Sequence, residues 1–124
     1  MQSEKKGYGL LPEADMVLEK TKELTDMLCR TEDYRRYQKS LRVLKERQET
    51  YNKFNEFRRK NLSLDEKDER YFEMADNLYD EYKDILMEPV VMDFLTSEEH
   101  VNMMLRRVFN CIAGEIQIDV SYMD

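Results

Sequence analysis

Residues 13–88 read EADMVLEKTKELTDMLCRTEDYRRYQKSLRVLKERQETYNKFNEFRRKNLSLDEKDERYFEMADNLYDEYKDILME, with neither glycine nor proline in the run. Those two residues are the strongest local breakers of regular structure. Glu, Lys, Arg, Leu, Met and Gln fill the run instead, and all are good helix formers. The apolar residues recur every three or four positions rather than every two, which is the period of an amphipathic helix. At its centre Tyr34, Tyr37, Leu41, Leu44, Gln48 and Tyr51 are spaced 3-4-3-4-3, and Phe54 and Phe57 extend this seam.

The run divides into three helices. Pro12 or Glu13 opens the first, which ends near Arg30 and carries Val17, Leu24, Met27 and Leu28 on its apolar face. Thr31 caps a second, reaching about Lys60. Ser63 and Glu66 form a capping box for a third, from about Asp65 to Met87, with Tyr71, Ala75, Leu78, Tyr82, Ile85 and Leu86 as its seam. So short a connection folds the second and third helices back as an antiparallel pair, with Tyr37, Leu41, Leu44, Leu78 and Ile85 inside.

Pro89 marks a boundary, because the residue before a proline avoids helical geometry. Beyond it Val101, Met104, Leu105, Val108, Ile112 and Ile116 form a last helical seam. Thr96 and Ser97 either cap a fresh helix or lie inside a continuous one. Gly114 interrupts the seam and is read as a place where a neighbouring helix can approach closely. Ile116, Ile118 and Val120 alternate as a short terminal strand would. Residues 1–11 read as a flexible arm and 12–124 as one helical domain. The expected fold is all-α, an elongated antiparallel helical hairpin or bundle of three to five helices.

The 124 residues carry a formal net charge of −7, and 38% of them are charged. That acidity argues against a general nucleic-acid binder. Eight tyrosines and five phenylalanines in periodic positions exclude a disordered chain. No apolar run is long enough to span a bilayer, and the N-terminus lacks the apolar stretch of a signal peptide. Cys29 and Cys111 lack metal-ligand spacing and read as free thiols in a reducing cytoplasm. The sole histidine, His100, has no second His or Cys at helical spacing. Asp80 and Asp84 lie one turn apart, but the Glu-x-x-His motif of a di-metal bundle is missing. Neither a phosphate-binding glycine loop nor a nucleophile elbow occurs. No catalytic residue, metal or cofactor is therefore expected.

The charges separate by segment. The second helix is basic from Arg35 to Lys60, while the third carries Glu73, Asp76, Asp80 and Asp84. At about 100° per residue most of the basic residues from Arg35 to Lys53, and the four acidic ones, lie opposite their apolar seams and point outward. Each is a solvated face or a docking surface for a second copy or another protein. An RNA backbone could also dock on the basic stripe, against which Glu46 and Glu49 count as interruptions. The residues singled out for partner binding are Arg35, Arg36, Lys39 and Arg42 with Tyr34 and Tyr37, since tyrosine suits half-wet interface positions.

The order of features is that of a family. A first helix ends near Cys29, and Tyr34-Arg35-Arg36-Tyr37 opens a long helix with Phe54 and Phe57 toward its end. A charged hairpin follows, then Pro89-Val90-Val91-Met92-Asp93-Phe94-Leu95-Thr96-Ser97-Glu98 runs into Val101, Leu105, Val108 and Ile112. Over about residues 13–120 the chain resembles the YlbF/YmcA-like family of small all-helical bacterial proteins. The resemblance implies a non-enzymatic regulator of competence, biofilm formation and sporulation. It implies assembly with itself or with other family members, and contact with an RNA-processing protein. Some members use a cysteine-bearing C-terminal tail to help ligate iron–sulfur clusters. This chain shows no such tail, and Cys29 and Cys111 sit inside predicted helices, a departure from the pattern that carries the cluster. The leading expectation is a regulatory adaptor working through protein–protein interaction. The alternative is an RNA-binding helical protein that uses the basic stripe.

Overall fold

The Thr31 side chain marks the first boundary in the chain. Its hydroxyl donates to the Leu28 carbonyl at 2.7 Å and accepts the Tyr34 N–H at 3.2 Å, ending one helix and capping the next. The computed structural model describes residues 12–119 and 121–123, and among these there are six α-helices and no strand. They are α1 (Pro12–Cys29), α2 (Glu32–Glu46), α3 (Gln48–Leu62), α4 (Tyr71–Glu81), α5 (Lys83–Leu86) and α6 (Pro89–Glu115), followed by a 3-10 turn over Ser121–Met123. Ile116 and Ile118, whose alternation with Val120 would also suit a short strand, lie in chain without regular structure. The expected arm over residues 1–11, and Val120, lie outside the described residues. The chain forms two compact units, the first ending at Arg35 and the second beginning at Arg36.

In the first unit α1 starts with Pro12 at its first position and has Glu13 and Asp15 at the positive end of its dipole. Thr21 returns its hydroxyl proton to the Val17 carbonyl at 2.8 Å, so this polar residue sits in the apolar face at little cost. No residue of α1 is buried.

The second unit shows where expectation and structure part. The helix anticipated from Thr31 to Lys60 is broken at Arg47, whose φ of −98° and ψ of 77° leave the helical region. The cause is packing. Tyr37 and Phe54 both touch Phe94, at ring-centroid distances of 5.5 Å and 5.9 Å. An unbroken helix would hold Tyr37 and Phe54 about 25 Å apart at ~1.5 Å per residue, too far for one phenyl ring to reach both. Bending at Arg47 gives up regular backbone bonding at one position. In return it buries Leu44 on one side and Phe54 on the other, each worth about 1.5–3 kcal/mol.

The third expected helix is also displaced. Ser63 is the C-cap of α3, its hydroxyl donating to the Lys60 carbonyl at 2.7 Å, so it caps no following helix. The Asp65 carboxylate accepts the Lys67 N–H at 2.9 Å, and Asp68 accepts that of Arg70 at 2.8 Å. Such side-chain turns compete with helix formation, and regular structure resumes only at Tyr71. Tyr82 then separates α4 from α5, its N–H shared between the Leu78 and Tyr79 carbonyls at 3.2 Å each.

The antiparallel hairpin itself is present. Lys60 meets Glu81 at 3.5 Å, the Tyr82 hydroxyl donates to Glu56 at 2.9 Å, and Thr50 donates to Glu88 at 3.1 Å. Partner numbers rise as α3 is followed backward, the signature of two antiparallel segments. Glu88 is extended, with φ −68° and ψ 136°, and Pro89 occupies the start of α6, as an X-Pro step dictates. Thr96 and Ser97 lie inside α6, which runs on without a break.

The core is Leu44, Phe54, Leu78, Tyr82, Leu86, Val91 and Phe94, with Tyr37, Leu41 and Ile85 half-buried around it. One polar pair crosses it. Ser97, 1% exposed, lies 2.5 Å from Ser40 across α2 and α6. Each hydroxyl also approaches a carbonyl of its own helix, Tyr37 for Ser40 at 3.0 Å and Phe94 for Ser97 at 2.9 Å. Two protons serve three contacts, so one hydroxyl must donate across and release its own carbonyl. Arg58 covers the outer side of this core. Its guanidinium lies 5.0 Å from the Phe54 ring and 5.5 Å from that of Phe94, and it donates to Glu98 at 3.1 Å.

Candidate protein-interaction surfaces

Beyond Val101 no residue of α6 is buried, yet the helix continues to Glu115 with its apolar period intact. Leu105, Phe109 and Ile112 follow one another along this face, and all are exposed, Phe109 to 67%. On a helical wheel they fall within about 60° of one another. Contacts across the second unit reach α6 at Phe94, Ser97 and Glu98, whereas the farther Arg106 pairs, among the described residues, with Glu99 of its own helix at 3.5 Å. Gly114 lies on the opposite side of the wheel from this face. A Cβ built there meets nothing within 4 Å, so the close approach anticipated at Gly114 has no counterpart among the described residues. In the first unit α1 leaves Met16, Val17 and Met27 exposed, Val17 to 64%.

The six residues singled out for partner binding separate into two groups. Arg35, Arg36, Lys39 and Arg42 are exposed on α2. Tyr34 and Tyr37 are half-buried, and Tyr37 leans on Phe94, so its ring belongs to the core rim as well as to the surface. The bend at Arg47 also shortens the expected basic stripe. Lys53 no longer continues the line of α2. Farther along α3, Arg58 is taken up by Glu98 and Lys60 by Glu81. What remains on α2 is a cationic face about 15 Å long at ~1.5 Å per residue.

Two grooves flank these elements. Between α3 and the α4–α5 segment, a groove of about 590 Å³ is lined by Glu49, Glu56, Glu81, Asp84 and Glu88 with Lys53. At its edge the Tyr82 hydroxyl, with Glu81 nearby, holds the Lys60 ammonium above its ordinary value. A second groove, of about 370 Å³, runs between α2 and α6. Arg36, Lys39 and Asp93 stand at its rim over Val43 and Val90. Sequence reading missed this groove, because it exists only once Ser40 and Ser97 bring α2 and α6 together. It also missed Phe72, which is 80% exposed on α4. The signal was available, since Phe72 falls about 100° off the Tyr71 seam.

Chemistry-bearing side chains are scattered. Among the described residues no three His, Cys, Asp or Glu side chains are grouped to hold a metal ion. Cys29 and Cys111 are both exposed and unbonded. No helix of the described residues is long and apolar enough to cross a membrane.

Residues 17–117 match the family model described as control of competence regulator ComK, YlbF/YmcA. No curated protein and no solved structure matches the chain.

Proposed function

This chain belongs to the YlbF/YmcA family of competence-control regulators, and from that premise we propose that it is a non-enzymatic adaptor acting by protein–protein association, with itself among its partners. The observation that carries this reading is the exposed apolar face of α6 from Leu105 to Ile112. Contiguous apolar faces of this kind mark interaction sites on soluble proteins. The uncovered apolar residues of α1 add a second such face. The cations Arg35, Arg36, Lys39 and Arg42 steer approach and select partners rather than supply most of the affinity. Other family members and an RNA-processing protein are the further partners this reading names, met in the cytoplasm.

The competing use of the cationic face is RNA backbone contact, and fluorescence anisotropy with unstructured RNA separates the two. At physiological salt the adaptor reading expects no submicromolar binding. Submicromolar affinity that falls steeply with salt, and disappears when Arg36, Lys39 and Arg42 are changed to Glu, would overturn it.

A further inference from the structure

The α2–α6 groove and the outer face of α4 are complementary in charge, and each carries an apolar centre. In the groove, Val43 and Val90 form an apolar floor beneath Arg36 and Lys39, with Asp93 and Thr96 on the α6 side. Neither cation has an ion-pair partner among the described residues. On α4, Phe72 stands out into solvent, its ring edge-on to Tyr71 at a centroid distance of 5.3 Å. Glu69, Glu73 and Asp76 are its near neighbours in the chain, exposed and likewise without ion-pair partners, while the nearby Arg70 is paired with Asp68 at 3.7 Å. One surface is thus an apolar slot rimmed mainly by positive charge. The other is an aromatic knob flanked mainly by negative charge. Both belong to the second unit, and within it Phe72 remains exposed rather than seated in the groove.

We infer that Phe72 of one copy seats in the Val43–Val90 groove of a second copy, with Glu69, Glu73 and Asp76 set against Arg36 and Lys39. The occupant is a second copy because the matching surface is carried by this same chain. Each copy offers one knob and one groove, so the contact joins two different surfaces. The inference rests on the self-association reading above and adds a charge-matched contact to the apolar faces of α6 and α1. Because its charges lie at the rim, added salt weakens this contact, whereas apolar burial is not weakened in that way.

The test uses the full chain in two charge-reversed forms. One carries Arg36→Glu and Lys39→Glu, the other Glu73→Lys and Asp76→Lys. All four positions are exposed, so each variant is expected to melt as the parent does. Sedimentation velocity then reads the association. Each variant alone should self-associate about tenfold or more weakly than the parent, a difference of at least about 1.4 kcal/mol. Mixed in equal amounts, the two should associate again, because the reversed groove now matches the reversed knob. Phe72→Ser should weaken association without any change of charge. The contact is overturned if both charge variants associate like the parent, or if each dissociates and the mixture stays dissociated. In either case an associating parent leaves the adaptor reading standing. A parent that never associates overturns both.

Discussion

Replacing Phe94 with alanine is expected to cost about 3–5 kcal/mol of folding stability. The ring is 3% exposed and joins three elements, touching Tyr37 of α2 and Phe54 of α3 from its own place on α6. Its face also holds the Arg58 guanidinium at 5.5 Å, so the substitution loosens the Arg58–Glu98 pair as well. A domain of ordinary stability has about 5–15 kcal/mol to lose. Urea unfolding followed by circular dichroism measures the cost. A loss under about 1 kcal/mol would mean that the bend at Arg47 is held by something other than this ring.

The second large effect concerns association rather than folding. Changing Phe109 and Ile112 together to Glu is expected to weaken self-association about a hundredfold or more, since a buried unpaired charge costs several kcal/mol. Both side chains are exposed within the chain, so the melting of the dissociated protein should change little. The two readouts separate an interface from a core. If the double variant unfolds instead, the distal part of α6 contributes to the chain's own stability. If it folds and still associates like the parent, the apolar face of α6 is not the contact.

Much of the fold was legible because it rests on local signals. The Thr31 cap, the Pro89 boundary and the seams that place Leu44 and Leu78 in the core depend on residue type and period alone. Arg47 and Tyr82 were not legible as breaks. Neither is a breaker by type, and each breaks its helix because distant partners, Phe94 for the first and Glu56 for the second, are better met that way. Asp65 and Asp68 could have been read as turn formers, but the Ser63–Glu66 pattern pointed to an earlier helix start. The candidate surfaces divide in the same manner. Exposure of Arg36, Lys39 and Arg42 followed from helical period, whereas the half-burial of Tyr37 came from packing against a residue far along the chain. The apolar period of α6 was visible, but periodicity cannot distinguish a face covered by its own chain from one left for another.

Sedimentation equilibrium of the unmodified chain at micromolar concentration separates the two. Association through the uncovered faces predicts a mass that is a multiple of 15.1 kDa and falls toward that value only on dilution. A mass of 15.1 kDa at every concentration would contradict it.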